Sequence, residues 1–289
     1  MQERLREIIK SKNKKFYDNK YLIIHMDDIG MSYAANEAAA RLYQKGIATS
    51  GSIMMPCPWA VDFIKWHRHN SQFDIGIHLT LTCEWNSCRW RPLSSSEQVN
   101  KLLDEEGFMH KGFEQEIKEA PLEQVAIEVQ SQIDLAKRWG LRFTHLDTHM
   151  FSLFFNDEHL LYLFKTAREN NVAFHIPKSS IWNEYRLQLA ETFDFPIVEN
   201  AVSSGDGSDY RAKKRSLLEN VSKLDKGLNV LTIHPVIDTH EIRQIIPDWE
   251  QRYLEYLLFM DDEVKEHIQK CGIKLISWEE AQKHYENHF

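Results

Sequence analysis

The 289-residue sequence has little of what marks several classes of protein. Four cysteines in a chain of this length do not form the disulfide framework of a small secreted domain. Cys83 and Cys88 resemble half of a metal site, but no second cysteine pair follows, so reduced thiols are expected. With 11 glycines and 8 prolines, collagen-like and low-complexity architectures are excluded. Because 43% of the residues are hydrophobic, the chain is expected to fold around a sizeable core.

Long apolar runs and an excess of positive charge are also missing. Residues 1–20 are charged, which predicts a short helical extension rather than a signal peptide or a membrane helix of about 20 apolar residues. The 35 basic and 43 acidic residues give a net charge of −8, which argues against a nucleic-acid partner and against an anionic membrane surface. Together with reduced thiols, these absences predict a cytoplasmic protein.

Short runs rich in β-branched and aromatic residues alternate with longer amphipathic stretches. Strands are predicted at residues 21–26, 48–55, 73–81, 142–147, 172–176, 228–234 and 274–276. Helices are predicted at residues 33–45, 59–69, 122–139, 158–170, 211–224, 249–270 and 279–285. This alternation predicts an α/β fold with mainly parallel strands, of the distorted (β/α) barrel type.

The predicted elements form one continuous unit without a linker or an internal repeat. Residues 21–289 are therefore expected to be a single barrel domain. Residues 82–112 are polar and too long for an ordinary connection, so they are predicted to be an inserted loop. In a parallel barrel such loops cover the carboxyl ends of the strands, where active sites lie.

Two adjacent carboxylates, Asp27 and Asp28, follow the first predicted strand. Burying an unpaired charge at that point would cost several kcal/mol, so the pair needs partners. One carboxylate is suited to bind a metal and the other to accept a proton. The alternative is that one of them caps the helix that begins near Ser32, and the sequence alone leaves both interpretations open.

Two other predicted strands carry a single histidine, His78 near the end of one and His234 at the end of the other. His78 is either a ligand or a hydrogen-bonded core residue, and Gly76 before it favours the first interpretation by permitting close approach. His234 precedes Pro235, where an imidazole either donates a proton to a leaving group or merely closes the strand.

The strongest motif is His145, Asp147 and His149. Because side chains two residues apart share one face of a strand, all three are expected to point the same way. A divalent cation such as Zn²⁺, Mn²⁺ or Fe²⁺ would satisfy them, with Asp147 either a ligand or an acceptor that orients a histidine. A solvated edge strand is the alternative, but Leu141 and Phe143 make the preceding residues apolar.

These four motifs all fall at the carboxyl ends of predicted parallel strands, and together they resemble a known family. HMDDIGMS, GIHLTL, THLDTHM and IHP occur in the order found in the YdjC-like carbohydrate deacetylases, and the resemblance runs from about residue 21 to 280. It implies a distorted barrel related to the polysaccharide deacetylases. It also implies hydrolysis of the N-acetyl group of a small acetylated amino sugar or oligosaccharide.

The resemblance also implies roles for individual residues. One divalent metal ion, Mg²⁺ or Zn²⁺, is expected on Asp28, His78 and His145. Asp27 is expected to be the general base and His234 the general acid.

Residues around these positions are expected to support them or to contact substrate: Asp147, His149 and Arg252. Arg252 is expected either to steer Asp27 or to lie exposed on its helix. Many relatives have a further histidine in the third motif, where this chain has Phe151. The predicted loop supplies a candidate platform for a sugar or a phosphorylated sugar: Trp85, Arg89, Trp90 and Arg91.

Three further expectations concern alternatives and assembly. A phosphoester hydrolase would use a similar metal centre. A sugar-binding or regulatory barrel without catalytic activity is a second alternative. The simultaneous presence of five residues argues against it: Asp27, Asp28, His78, His145 and His234. A homodimer is a possible assembly, because barrels of this kind often associate through their helices.

Overall fold

The computed structural model describes residues 2–112, 115–174, 183–193 and 195–286. Within these ranges one parallel sheet carries the fold. Its strands are β1 Lys20–Ile29, β2 Ser50–Ile53, β3 Asp74–Leu79, β4 His145–Thr148, β5 Ala173–Phe174, β6 Asn200–Ala201, β7 Gly227–Ile233 and β8 Ile273–Leu275.

The strand order is β5-β4-β3-β2-β1-β7-β6. β8 pairs with the first part of β1, where Lys20 lies opposite Ile273, whereas β2 pairs with the second part, where His25 lies opposite Ser50. β5 and β6 do not pair with each other in the described ranges, so the sheet is a half-barrel. The prediction of a distorted α/β barrel with parallel strands is confirmed in this form.

Helices cover the outside of the sheet. In the described parts of the chain they are α1 Gln2–Lys12, α2 Tyr33–Lys45, α3 Ala60–Arg68, α4 Gln115–Glu119, α5 Leu122–Arg138, α6 Asp157–Glu169, α7 Glu184–Thr192, α8 Tyr210–Ser222, α9 Ile242–Ile245, α10 Trp249–Phe259, α11 Asp262–Lys270 and α12 Trp278–Glu286. None of these helices has the length and apolar character needed to cross a bilayer.

One predicted element differs from the structure, and another lies partly outside the described residues. The helix predicted at residues 249–270 is divided, because Asp261 caps a new helix by accepting a hydrogen bond from the backbone of Glu263. The strand predicted at 172–176 is described only as β5, since residues 175 and 176 lie outside the described ranges.

Alternation along β1 separates two parts of the core. Leu22, Ile24 and Met26 pack with the covering helices. Tyr21 and Ile23 join a second cluster, to which the N-terminal segment contributes the fully buried Phe16. Side chains of alternate residues point to opposite faces of a strand, so β1 presents a different set of residues on each side of the sheet.

Residues 82–112 form a long excursion over the carboxyl end of the sheet, with a single short 3-10 turn at Asn100–Leu102. Trp90 is buried in it and donates a hydrogen bond from its indole nitrogen to the carbonyl of Thr82. This packing fixes the beginning of the loop beside the end of β3.

Candidate active site

The end of β1 brings both of its carboxylates to one cavity. Asp28 has a left-handed backbone with φ of 61°, which interrupts the alternation of the strand. A non-glycine residue in this conformation costs roughly 1–2 kcal/mol. The helix that follows is capped by Ser32, whose hydroxyl accepts a hydrogen bond from the Ala35 backbone. The alternative role of Asp27 or Asp28 as its cap is therefore excluded.

Asp28, His78 and His149 converge at the centre of the site. Asp28 Oδ1 lies 3.5 Å from His78 Nε2 and 3.3 Å from His149 Nδ1. The two imidazole nitrogens are 3.3 Å apart. All three side chains are buried, and Asp28 Oδ1 has no hydrogen-bond donor. A buried oxygen without a donor, facing two imidazole nitrogens, fits a divalent cation.

Each imidazole also contacts another carboxylate through the ring nitrogen that points away from the centre. His78 Nδ1 lies 2.9 Å from Asp147 Oδ1, and His149 Nε2 lies 2.9 Å from Glu84 Oε2. Such contacts fix the orientation of the ring, so that its other nitrogen faces the centre. Sequence reasoning missed Glu84, which lies in the excursion with no periodicity to place it. The one available signal was an acidic residue soon after the end of β3.

The charges of this cluster shift several pKa values. Burial by itself would lower the pKa of His149, but the carboxylates of Glu84 and Asp28 outweigh it and raise that pKa to about 10. Burial would likewise raise the pKa of Asp28, yet His149 and Arg252 hold it well below its usual range. A histidine that binds a metal must be neutral, so a cation would have to displace the second ring proton of His149.

The sequence led us to expect His145 beside Asp28 and His78. In the structure, His145 does not join them. It lies two residues before Asp147 on β4, about 6–7 Å further down the strand. Its Nδ1 is 2.9 Å from Thr144 Oγ1, and its ring centre is 5.8 Å from that of Trp278. A Cβ on Gly76 would lie 2.4 Å from His145 Nε2, so this glycine makes room for His145 rather than for a ligand at His78. His149, rather than His145, lies beside Asp28 and His78.

Asp27 and His234 flank the cluster. Asp27 Oδ1 lies 3.0 Å from His25 Nε2, while Asp27 Oδ2 lies 3.7 Å from His234 Nε2 and 4.0 Å from His78 Nε2. The backbone N–H of His234 donates to Glu255, and its side chain is 40% exposed. An acceptor and a solvent-accessible imidazole thus stand side by side at the entrance.

β4 is an interior strand, which excludes the solvated-edge alternative for its motif. It lies between β3 and β5, and His145, Asp147 and His149 are all buried. Asp147 Oδ2 also lies 2.8 Å from His25 Nε2, so one carboxylate connects His78 with His25.

Arg252 lies inside the site rather than exposed on its helix. Its Nη1 is 2.7 Å from Asp28 Oδ2, and its guanidinium stands 5.2 Å from the ring centre of Trp85. The expectation that Arg252 steers Asp27 is not met by these contacts, because its partner is Asp28.

The site opens into a cavity of about 400 Å³. It is lined by Asp27, Asp28, His78, Glu84, Asp147, Thr148, His149, Met150, Phe151, Phe154, Phe155, Thr232, His234 and Arg252. The predicted sugar platform is not among these residues. Trp90 is buried in the excursion, Arg89 pairs with Asp104, and Arg91 stacks on Phe108.

The carboxyl ends of β1, β3, β4 and β7 thus place a His/Asp centre at the rim of a parallel half-barrel, which defines an α/β-barrel protein with a candidate metal centre. Residues 21–270 match the family model described as YdjC-like protein, and the chain belongs to that family.

Two similar relatives of this chain are both named carbohydrate deacetylase. A carbohydrate deacetylase of Thermus thermophilus is 31% identical over 254 residues, covering 85% of this chain and 88% of the relative. One from Thermoanaerobacter pseudethanolicus is 27% identical over 274 residues, covering 90% and 98%. A crystal structure from Enterococcus faecalis, described as a candidate cellobiose-phosphate cleavage protein, shares the fold. It has a TM-score of 0.75 at 24% identity, and the match covers 90% of this chain and 98% of that one.

Proposed function

We propose that this protein is a metal-dependent hydrolase that removes the N-acetyl group from a small acetylated saccharide. The observation that carries the proposal is the convergence of Asp28, His78 and His149 beside Asp27 and His234. Membership of a family whose matching relatives are named carbohydrate deacetylases supports the reaction type.

One divalent cation would be held by Asp28, His78 and His149. When bound, it would supply Lewis acidity to the amide carbonyl and to water. Two imidazoles and one carboxylate suit Zn²⁺, whereas Mg²⁺ prefers oxygen ligands. Asp147 and Glu84 hold the two imidazoles in the tautomers that face the centre.

Asp27 is the proposed base, because its Oδ2 lies 4.0 Å from His78 Nε2, at the edge of the cluster, and 3.7 Å from His234 Nε2. It takes the proton of the attacking water while the oxygen adds to the amide carbon. His25 Nε2, 3.0 Å from Asp27 Oδ1, orients the carboxylate.

His234 is the proposed acid. As the carbon–nitrogen bond breaks, His234 protonates the departing nitrogen, and acetate and a free amine are released. Its exposed side chain can regain a proton from solvent.

The reaction is tested by acetate release from N-acetylglucosamine and its short oligomers, with phosphoesters in the same screen. Chelation is expected to stop the release, and added Zn²⁺ or Mg²⁺ to restore it. Asp27→Asn should lower kcat by about 10²–10⁴-fold while metal content, measured by elemental analysis, stays unchanged.

Asp134→Asn on the exposed face of α5 is the matched control and should retain full activity. Unchanged turnover in Asp27→Asn would rule out Asp27 as the base. Saccharide binding without acetate release by the metal-loaded protein would identify a binding protein instead, and phosphate release would identify the alternative hydrolase.

A further inference from the structure

Within the described sheet, strand pairing stops just before His234 at the end of β7. On one side β7 pairs with β1 as far as Ile233, which lies opposite Met26. On the other side β6 pairs with β7 only as far as Val230. The residue after His234 is Pro235, which has no backbone N–H. The position of His234 therefore depends on contacts from outside the sheet.

Glu255 of α10 supplies such a contact. Its Oε2 accepts a hydrogen bond of 2.8 Å from the backbone N–H of His234. Its Oε1 accepts a hydrogen bond of 2.7 Å from the hydroxyl of Ser204, in the loop after β6, and lies 3.8 Å from Lys213 Nζ. Glu255 and Lys213 are both buried. One carboxylate thus joins the end of β7 to the loop that continues from the short strand beside it.

The contact is with the main chain of His234 and leaves its ring at the cavity. The imidazole lines the cavity, with its Nε2 3.7 Å from Asp27 Oδ2. Glu255 itself is not among the described residues that line the cavity. Any effect of Glu255 on the reaction must therefore act through the position of His234 rather than by contact with substrate.

The same helix also holds the other side of the site. Arg252 lies three residues before Glu255, and its Nη1 is 2.7 Å from Asp28 Oδ2. Side chains at this spacing are neighbours on one face of a helix. Through these two side chains α10 contacts the ends of both β1 and β7, so it links the position of His234 to that of Asp28.

We propose that Glu255 is a positioning residue for the reaction, holding the backbone of His234 so that the imidazole meets the departing nitrogen. A proton donor must lie within hydrogen-bond reach of the atom that it protonates. A displacement of about 1 Å at a reacting group can cost roughly 10²-fold in rate. This inference rests on the proposed deacetylase function and on His234 as its acid.

Acetate release from the disaccharide of N-acetylglucosamine by the metal-loaded protein measures the effect. Glu255→Ala should lower kcat by about 10- to 100-fold and change KM by less than about twofold, with metal content unchanged by elemental analysis. Glu255→Gln should stay within about threefold of wild type, because its amide oxygen can accept from the His234 N–H and its nitrogen can donate to Ser204.

Glu250→Ala is the matched control, since Glu250 is an exposed glutamate on the same helix, and it should retain full activity. Glu255→Asp shortens the side chain by one methylene and provides a second variant should the alanine variant unfold. It should lower kcat in the same way as Glu255→Ala, but by less.

Two readouts separate positioning from a general disturbance of the fold. In a His234→Ala background, Glu255→Ala should cause no further fall in kcat, because no imidazole remains to be positioned. Hydrolysis of 4-nitrophenyl acetate should fall much less than amide hydrolysis in Glu255→Ala, because the nitrophenolate leaves without needing a proton from an acid.

Hydrogen exchange measured by mass spectrometry tests the contact without depending on activity. The peptide that contains His234 should exchange faster in Glu255→Ala than in wild type, and at the wild-type rate in Glu255→Gln. Unchanged exchange in Glu255→Ala would contradict the contact.

The outcomes distinguish this inference from the function on which it rests. An equal loss of kcat with and without the His234 imidazole, or an equal loss for ester and amide, would overturn the positioning role alone. Absence of acetate from every saccharide in the wild-type protein would instead refute the deacetylase function, and the positioning of an acid would fail with it.

Discussion

Two layers of histidines and carboxylates lie at different depths along the strands, one at the carboxyl ends and one where β3 and β4 begin, and they differ in what their carboxylates contact. The rim layer contains Asp28, His78 and His149, whereas the inner layer contains Asp74 and His145. In the inner layer, Asp74 accepts hydrogen bonds from the hydroxyl of Ser50 and from the backbone of Glu279.

In the rim layer, one carboxylate oxygen has no hydrogen-bond donor of this kind. Asp28 Oδ1 is buried without a donor and faces two imidazole nitrogens and the cavity. Similar residue types therefore have different contacts in the two layers. The inner layer is packed by the protein, with Trp278 against His145, while the rim layer keeps a position that a cation would fill.

The largest effect that distinguishes the layers is expected from replacing one histidine in each. His149→Ala should weaken metal binding by about 10²–10³-fold because it would remove one of the three proposed ligands. His145→Ala should retain metal binding but lower the free energy of unfolding by about 2–4 kcal/mol through the cavity it leaves.

Titration calorimetry with Zn²⁺ and urea unfolding measure the two quantities. His145→Asn serves as a milder variant should the alanine variant unfold. Loss of metal binding in a folded His145 variant, with binding retained in His149→Ala, would reverse the assignment of the layers.

Gly76 offers a way to disturb the inner layer through packing alone. The Cβ of Gly76→Ala would overlap the His145 ring, with its nearest atom at 2.4 Å, so the ring or the strand must move. Overpacking of this kind costs about 1–3 kcal/mol. Urea unfolding of Gly76→Ala and of the double variant Gly76→Ala/His145→Ala checks the cause, since removal of the ring should recover most of that loss. An equal loss in both backgrounds would contradict it.

The smallest expected effect is a pH dependence from His25, which joins the two layers. Burial by itself would lower its pKa, but Asp147 and Asp27 outweigh burial and raise it to about 10. The charged imidazole therefore favours the folded state. Its contribution is complete below the unfolded pKa of about 6.5 and disappears as the pH rises through about 10.

The stability difference between wild type and His25→Gln should accordingly narrow between pH 6.5 and pH 10. Urea unfolding at intervals across this range measures it. A difference that stays constant, or that widens towards alkaline pH, would show that His25 is not held in the charged form.

Hydrophobic patterning was sufficient for most of the fold. The apolar runs predicted the seven strands that match β1–β5, β7 and β8 in position. β6 was missed because Asn200–Ala201 has two exposed residues and no alternating pattern. The break between α10 and α11 was missed because it depends on the single cap at Asp261.

The candidate site divides in the same way. Asp27, Asp28, His78 and His234 were placed at the rim because each lies at or near the end of an apolar strand. The choice between His145 and His149 depends on depth along β4, which the sequence does not give. Glu84 depends on the path of the long excursion, and its contact with His149 exists only after that loop folds.

The sequence by itself determined the parallel α/β architecture, the family, and the set of strand ends that carry the acidic and imidazole groups, because strand periodicity and chain order are local properties. The tertiary structure alone decided which histidine faces Asp28, that Arg252 pairs with Asp28, and that Phe151 stands exposed at the cavity. These features depend on strand register, on the left-handed turns at Asp28 and Met150, and on side-chain packing between segments far apart in the chain.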